Sequence, residues 1–274
     1  MMSTDDPVRT TDLFRLDGKV ALITGAAGLL GEQHAIALAD FGAIVVLTDL
    51  DREPCGLRAD QIADRAGGKT MAIQCDVSDK ASWETLLDKV LSAFSRVDIL
   101  VNNAAFTNKS RSANYDAPFT EFPLEDWNQI LKVNLTGTFL GCQAIGRQML
   151  NQGSGSIINL GSLYGVVSPN HRIYPDTGIS QPPAYSVSKA AVIALTRYLG
   201  TLWAERGVRV NCITPGGVYN QHPELFASRF AQLNPMGRMA RKDEMRGALV
   251  YLASDASSHC TAHNLVVDGG WTAW

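Results

Sequence analysis

The chain lacks an apolar run approaching the roughly 18 residues that cross a bilayer. Its richest segments, such as AIVVL at 43–47, are only strand length. It opens on MMSTDDPVRTTDLF, acidic and without the apolar stretch of a signal peptide, so a cytoplasmic location is expected. Positive charge is not in excess: 24 Lys and Arg against 27 Asp and Glu leave a net −3, no field for nucleic acid. The five cysteines, Cys55, Cys75, Cys142, Cys212 and Cys260, form no CxxC, which suits free thiols in a reducing compartment. Nor do the five histidines, His34, His171, His222, His259 and His263, form an HExxH, so no metal site is expected. Repeats, low-complexity tracts and Pro/Gly/Ser-rich linkers are also missing, which argues for one domain over 1–274.

What remains is 46% hydrophobic and 19% charged, a globular composition. Short β-branched runs near 19–24, 43–48, 70–75, 97–101, 155–160, 207–213 and 263–267 read as strands. Helical periods fill 29–41, 53–66, 79–94, 124–151, 185–205 and 241–254. This alternation predicts an α/β fold: a doubly wound, seven-stranded parallel sheet with helices on both faces. Residues 1–15 read as a tail. The irregular segments 104–123, 163–184 and 215–240 all follow strands, and ligands bind at that carboxyl edge. The last is read as a substrate loop, with Gly216 and Gly217 as hinge candidates.

The strand VALIT runs into Gly25, Gly28, Leu29, Leu30 and Gly31, then a helix. Glycines allow a tight turn that brings bare N–H groups against a pyrophosphate at a helix N-terminus. Asp49 ends the second strand 18 residues after Gly31 (49 − 31), placed to accept bonds from an adenosine ribose or to serve as a cap. Its carboxylate would repel a 2′-phosphate, so NAD is expected over NADP, although Arg52 three residues on argues the other way. Tyr185 and Lys189 are four apart and share a helix face. A nearby ammonium lowers a phenol's pKa, so the pair can move a proton.

Together these segments resemble the short-chain dehydrogenase/reductase family over roughly residues 16–270. The matching motifs are TGAAGLLG, CDV, NNAA, VNLTGTF, INLGS, YSVSK, ITPGG and VVDGG. The resemblance implies a Rossmann-type fold with Tyr185 as general acid/base and Lys189 on the nicotinamide ribose. Ser162 would bond the reacting oxygen, and Asn134 would place a relay water. It also implies that Asp76 and Val77 contact adenine, with Asp76 open to the alternative of capping the next helix. Asn103 and Ala104 would lie beside the cofactor, and Pro215 and Gly216 would face its carboxamide. Leu50, Ala105 and Val218 complete the expected cofactor set. A homotetramer, or a dimer, built on helices 124–151 and 185–205 is implied as well.

Some features depart from the usual pattern. The glycine spacing is TGxxGxxG, Asn220 replaces a threonine, and 23 residues separate Ser162 from Tyr185 (185 − 162). The intervening segment, with its YG and prolines, and the terminal DGGWTAW most resemble family members of flagellin modification and legionaminic-type sugar synthesis. Its polar side chains, and Asn108, Lys109, Arg111 and Asn114 in the preceding loop, suit a sugar-like or phosphorylated small molecule, or else are solvated loop residues. Tyr164, His171 and His222 join Ser162 and Tyr185 as substrate-contact candidates. The expected activity is therefore NAD-dependent oxidation of a secondary alcohol on such a substrate. The alternatives are a 3-oxoacyl carrier-protein reductase or, less in keeping with the four catalytic side chains, a dinucleotide-binding protein without turnover.

Overall fold

The computed structural model describes residues 8–106 and 117–274. Seven strands, β1 Val20–Thr24, β2 Ile44–Asp49, β3 Thr70–Gln74, β4 Ile99–Asn102, β5 Gly155–Leu160, β6 Val208–Pro215 and β7 Asn264–Val267, form one sheet. Every pairing is parallel, in the order β3-β2-β1-β4-β5-β6-β7. The chain builds outward from β1 to β3, then returns to place β4 against β1, with Ile23 opposite Val101. Their carboxyl ends diverge there and open a crevice.

Alternation along β1 explains the two layers that cover the sheet. Ala21 and Ile23 pack with Leu38, Ile62, Leu249 and Leu252 on one face. Val20 and Leu22 pack with Leu86, Ile145, Met149 and Leu199 on the other. The helices that supply these residues are α1 Leu29–Asp40, α2 Arg52–Ala66, α3 Lys80–Phe94, α5 Gly137–Gln152, α6 Pro183–Leu202 and α8 Arg246–Ala253, while α4 Leu124–Leu131 and α7 Glu224–Leu233 pack in smaller clusters of their own. Asp51 and Asp79 cap α2 and α3 through first-turn amides. Pro183 opens α6, where its missing N–H costs nothing.

The observed elements differ from the expected ones in four places. The helix expected over 124–151 is divided by a π turn, Lys132–Thr136. The region 215–240 is not wholly irregular, since α7 lies within it and packs Phe226 and Phe230 inward. Helix α8 starts at Arg246 because residues 241–245 turn around Glu244, whose carboxylate accepts from Arg238 and from the Arg241 amide. Within the expected tail, Thr10–Phe14 form a 3-10 turn and the next residue but one, Leu16, is buried. Asn108, Lys109, Arg111 and Asn114 lie outside the described residues.

Candidate active site

The turn after β1 is fixed by contacts that only glycine permits. Gly25 has φ +64°, and a Cβ there would sit 2.7 Å from Ala104 Cα. A Cβ on Gly31 would run into the Gly25 carbonyl, so this glycine serves the packing of α1 against the turn. Asn103 braces the same turn by donating to the Thr24 and Gly25 carbonyls at 2.9 and 3.0 Å. Asp49 accepts from the Ala27 and Leu50 amides at 3.0 and 2.8 Å. Its carboxylate thus holds the turn as well as the strand end. No side chain caps α1, whose N-cap is Gly28. Asp76 accepts from the amide and hydroxyl of Ser78, and the helix cap is Asp79, so the capping alternative for Asp76 falls away.

Across the crevice, β5 delivers Ser162 and α6 delivers Tyr185 and Lys189. The Ser162 hydroxyl accepts from the Tyr164 amide at 3.2 Å, and it lines the same cavity as Tyr185. Burial raises the Tyr185 phenol above its ordinary pKa, and the neighbouring Ser162 hydroxyl partly offsets this. Burial lowers the Lys189 ammonium to about 8. Its Nζ donates to the Leu160 carbonyl at 2.7 Å and lies 5.9 Å from the Tyr185 ring centroid. The net direction at Tyr185 in this structure is thus set by burial. A Cβ on Gly165 would lie 2.7 Å from the Lys189 carbonyl carbon, so the glycine of the YG pair lets the insertion approach α6.

Asn134 stands in the π turn, fully buried, away from the lining. Its Oδ1 accepts from the Phe106 amide at 2.7 Å and its Nδ2 donates to Ser188 Oγ at 3.1 Å. Ser188 in turn donates to the Tyr185 carbonyl at 2.7 Å. Through its side chain Asn134 is thus a positioning group that ties the segment after β4 to the second turn of α6.

One cavity of about 560 Å³ collects most of the expected residues. Gly25, Gly28, Leu29, Leu30, Asp49, Leu50, Asp76, Val77, Asn103, Ala104 and Ala105 line it together with Ser162, Tyr185, Lys189, Pro215, Gly216, Val218 and His222. Gly31, Asn134, Tyr164 and His171 do not. Tyr164 is turned toward the insertion, where its hydroxyl meets that of Tyr174 at 2.6 Å, and burial pushes its phenol up to about 12. His171 is exposed beside the Tyr174 ring. Neither is a cavity contact in this arrangement. Gln181, also in the lining, was not singled out from the sequence; its polar amide four residues before Tyr185 was the available signal. A Cβ on Gly216 would meet the Asp268 backbone at 2.7 Å and one on Gly217 the Phe230 ring, so close packing accounts for glycine at both positions.

The glycine turn, the Asp49 rim and the Ser162, Tyr185 and Lys189 cluster occupy one crevice at the sheet's switch point, and the wider comparisons agree. A family profile described as Enoyl-(Acyl carrier protein) reductase matches residues 25–272. The chain is 40% identical over 265 residues to a D-threitol dehydrogenase of Mycolicibacterium smegmatis, covering 94% of this chain and 95% of the relative. It is 32% identical to an NADP-dependent mannitol dehydrogenase of Alternaria alternata, with 98% of each chain covered. A crystal structure of a short-chain type dehydrogenase/reductase from Mycobacterium marinum superimposes with TM-score 0.86 and 34% identity, covering 97% and 99% of the two chains.

The chain belongs to the short-chain dehydrogenase/reductase family. It is an oxidoreductase, and a nicotinamide dinucleotide is its cofactor class. The residues present fit that group: the N-terminus of α1 has no side-chain cap, Gly28 leaves the approach to it open, and Asp49 stands on the rim. Among the described residues no helix is long and apolar enough to cross a membrane.

Proposed function

We propose that this chain is a polyol dehydrogenase, removing hydride from a secondary alcohol carbon of a neutral, polyhydroxylated substrate with NAD in preference to NADP. The observation that carries this reading is the shared cavity, in which Ser162 and Tyr185 stand with the polar side chains of Gln181, Asn220 and His222. When bound, the nicotinamide dinucleotide supplies the hydride acceptor. Gly28, Leu29 and Leu30 would hold its pyrophosphate, Asp49 its adenosine ribose, and Pro215, Gly216 and Val218 its other end. Lys189 would bond its nicotinamide ribose.

Tyr185 takes the hydroxyl proton of the alcohol as the carbonyl forms, and Ser162 bonds the same oxygen. Oxidation uses the phenolate, so it rises with pH, whereas the reverse reduction uses the phenol and falls. Lys189 keeps positive charge near the developing phenolate, and Asn134 with Ser188 holds the helix that carries both. A carboxylate at Asp49 disfavours a 2′-phosphate at that point, which supports NAD. The only cation among the described cavity-lining residues is Lys189, which supports a neutral polyol over a sugar phosphate. The names of the threitol and mannitol relatives support a polyol ahead of a legionaminic-type sugar. Apolar Phe139 on α5 and Val187, Tyr198 and Leu202 on α6 are exposed, which supports association of copies through these helices.

The test is a kinetic panel with NAD and with NADP: tetritols to hexitols, sugar phosphates, nucleotide sugars, plain secondary alcohols and, in reverse, a 3-oxoacyl thioester. Highest kcat/KM on an unphosphorylated polyol with NAD supports the proposal. Turnover confined to the thioester would give the site to carrier-protein reduction instead.

A further inference from the structure

Among the described residues, polar side-chain groups with no protein partner line the cavity that holds Ser162 and Tyr185. Gln181 reaches the lining from the turn before α6, and Asn220 and His222 reach it from the segment between β6 and α7. Among the described residues, neither side-chain amide makes a protein hydrogen bond. His222 does so through one nitrogen only: Nδ1 accepts from the Asn220 amide at 3.1 Å. That bond places the proton of the neutral ring on Nε2, leaving Nε2–H as a donor.

The imidazole is also held in orientation. It stacks on Phe226 with centroids 5.3 Å apart, and the Tyr219 ring lies tilted to it at 6.1 Å. Phe226 packs on Phe230, which stacks on Trp271 at 4.2 Å. The segment beneath is pinned by the bridge between Val218 and Ala240 and by the packing of Gly217 on Phe230. A donor whose direction is set by packing before any ligand arrives discriminates better than one on a mobile side chain.

We infer that Gln181, Asn220 and His222 form a hydroxyl-reading set that selects substrates bearing additional hydroxyl groups beside the reacting alcohol. This deepens the polyol reading and rests on it. A hydroxyl is both donor and acceptor, and so is each carboxamide; His222 adds a fixed donor. A substrate carrying methyl or methylene groups at those positions leaves these polar groups unpaired where it has displaced their water, and is rejected for that reason. The set thus acts by selection among alcohols, while Tyr185 and Ser162 act on the reacting oxygen.

The test compares the polyol turned over best with its terminal deoxy analogue, for example threitol with 2,3-butanediol, by the ratio of their kcat/KM values. His222→Phe keeps an aromatic ring against Phe226 and removes both nitrogens; Gln181→Leu removes an amide from a different segment. Each is expected to lower the ratio about tenfold, through a higher KM for the polyol, and His222→Gln to recover part of it. Thermal unfolding identifies a variant that fails to fold, and Gln181→Leu then carries the test in place of His222→Phe. A wild-type preference for the polyol that persists in both variants overturns the inference and leaves the polyol reading standing. Equal turnover of the two alcohols by the wild type removes the reading and the inference together.

Discussion

At one end of the cavity the chain presents mainly backbone: a glycine turn, the uncapped start of α1 and the ends of β1, β2 and β4. At the other it presents side chains: Tyr185 from the first turn of α6, and Ser162, Gln181, Asn220 and His222 from the segments that follow β5, precede α6 and follow β6. The first end recognises a ligand by the absence of side chains, so its requirements are steric. The second recognises by functional groups and depends on packing that orients them. A substitution should therefore fail differently at the two ends, through lost space at the first and lost chemistry at the second.

The largest expected effect is at the chemical end. Tyr185→Phe removes the proton acceptor with little change in volume, so kcat should fall by about 10² to 10⁴ while the folding midpoint hardly moves. Steady-state NADH formation beside a urea titration checks both halves. Equal loss of activity and stability would assign Tyr185 to the scaffold.

The next effect concerns α1, which supports the backbone end. His34 is fully buried there, neither ring nitrogen has a partner among the described residues, and burial lowers its pKa from 6.5 to about 4. The folded state therefore binds its proton less readily than the unfolded chain. The contribution of neutral His34 is complete above pH 6.5 and is lost as pH falls from there toward 4, to an extent of about 3 kcal/mol. Chemical denaturation from pH 8 to pH 4 should show this loss, and His34→Leu should flatten that part of the curve. An identical acid limb in the variant would assign the loss to other groups.

Paired glycine substitutions sharpen the contrast at the smallest scale. Gly31→Ala sets a methyl against the Gly25 carbonyl, and Gly165→Ala sets one against the backbone of α6 at Lys189. Each is expected to cost about 1–3 kcal/mol of stability. They should part in function: Gly31→Ala weakens NADH binding, measured by fluorescence titration, whereas Gly165→Ala lowers kcat with NADH affinity retained. The opposite pattern would break the division of the cavity into two ends.

That division also explains what could be read from the residues. The inner parallel strands are buried along their length and read as apolar runs rich in β-branched residues, and all seven strands lie within two residues of the expected bounds, although the edge strands β3 and β7 are only partly buried. The glycine turn and Asp49 were visible because backbone recognition leaves a sequence signature. Helix α7 was not, since it is short and enclosed by Pro223 and by Asn234 and Pro235 in a loop-like composition. Nor could local spacing separate His222, which reaches the cavity, from exposed His171, because tertiary packing on Phe226 decides it. The YG pair resembled a substrate signature, yet Gly165 answers to a close backbone approach and Tyr164 to a hydroxyl contact within the insertion. Asn134 and Asp76 were found as positions, while their hydrogen-bond partners came only from the fold.

The central claim is that a nicotinamide dinucleotide at the backbone end and a polyol at the side-chain end share this one cavity. A crystal structure of the protein soaked with NADH and the polyol it oxidises best tests it most directly. The account predicts the reacting oxygen within hydrogen-bond reach of Tyr185 and Ser162, and neighbouring hydroxyls on Gln181 and His222. A polyol bound in the cavity with its hydroxyls turned away from Gln181, Asn220 and His222, or bound elsewhere on the chain, would contradict it.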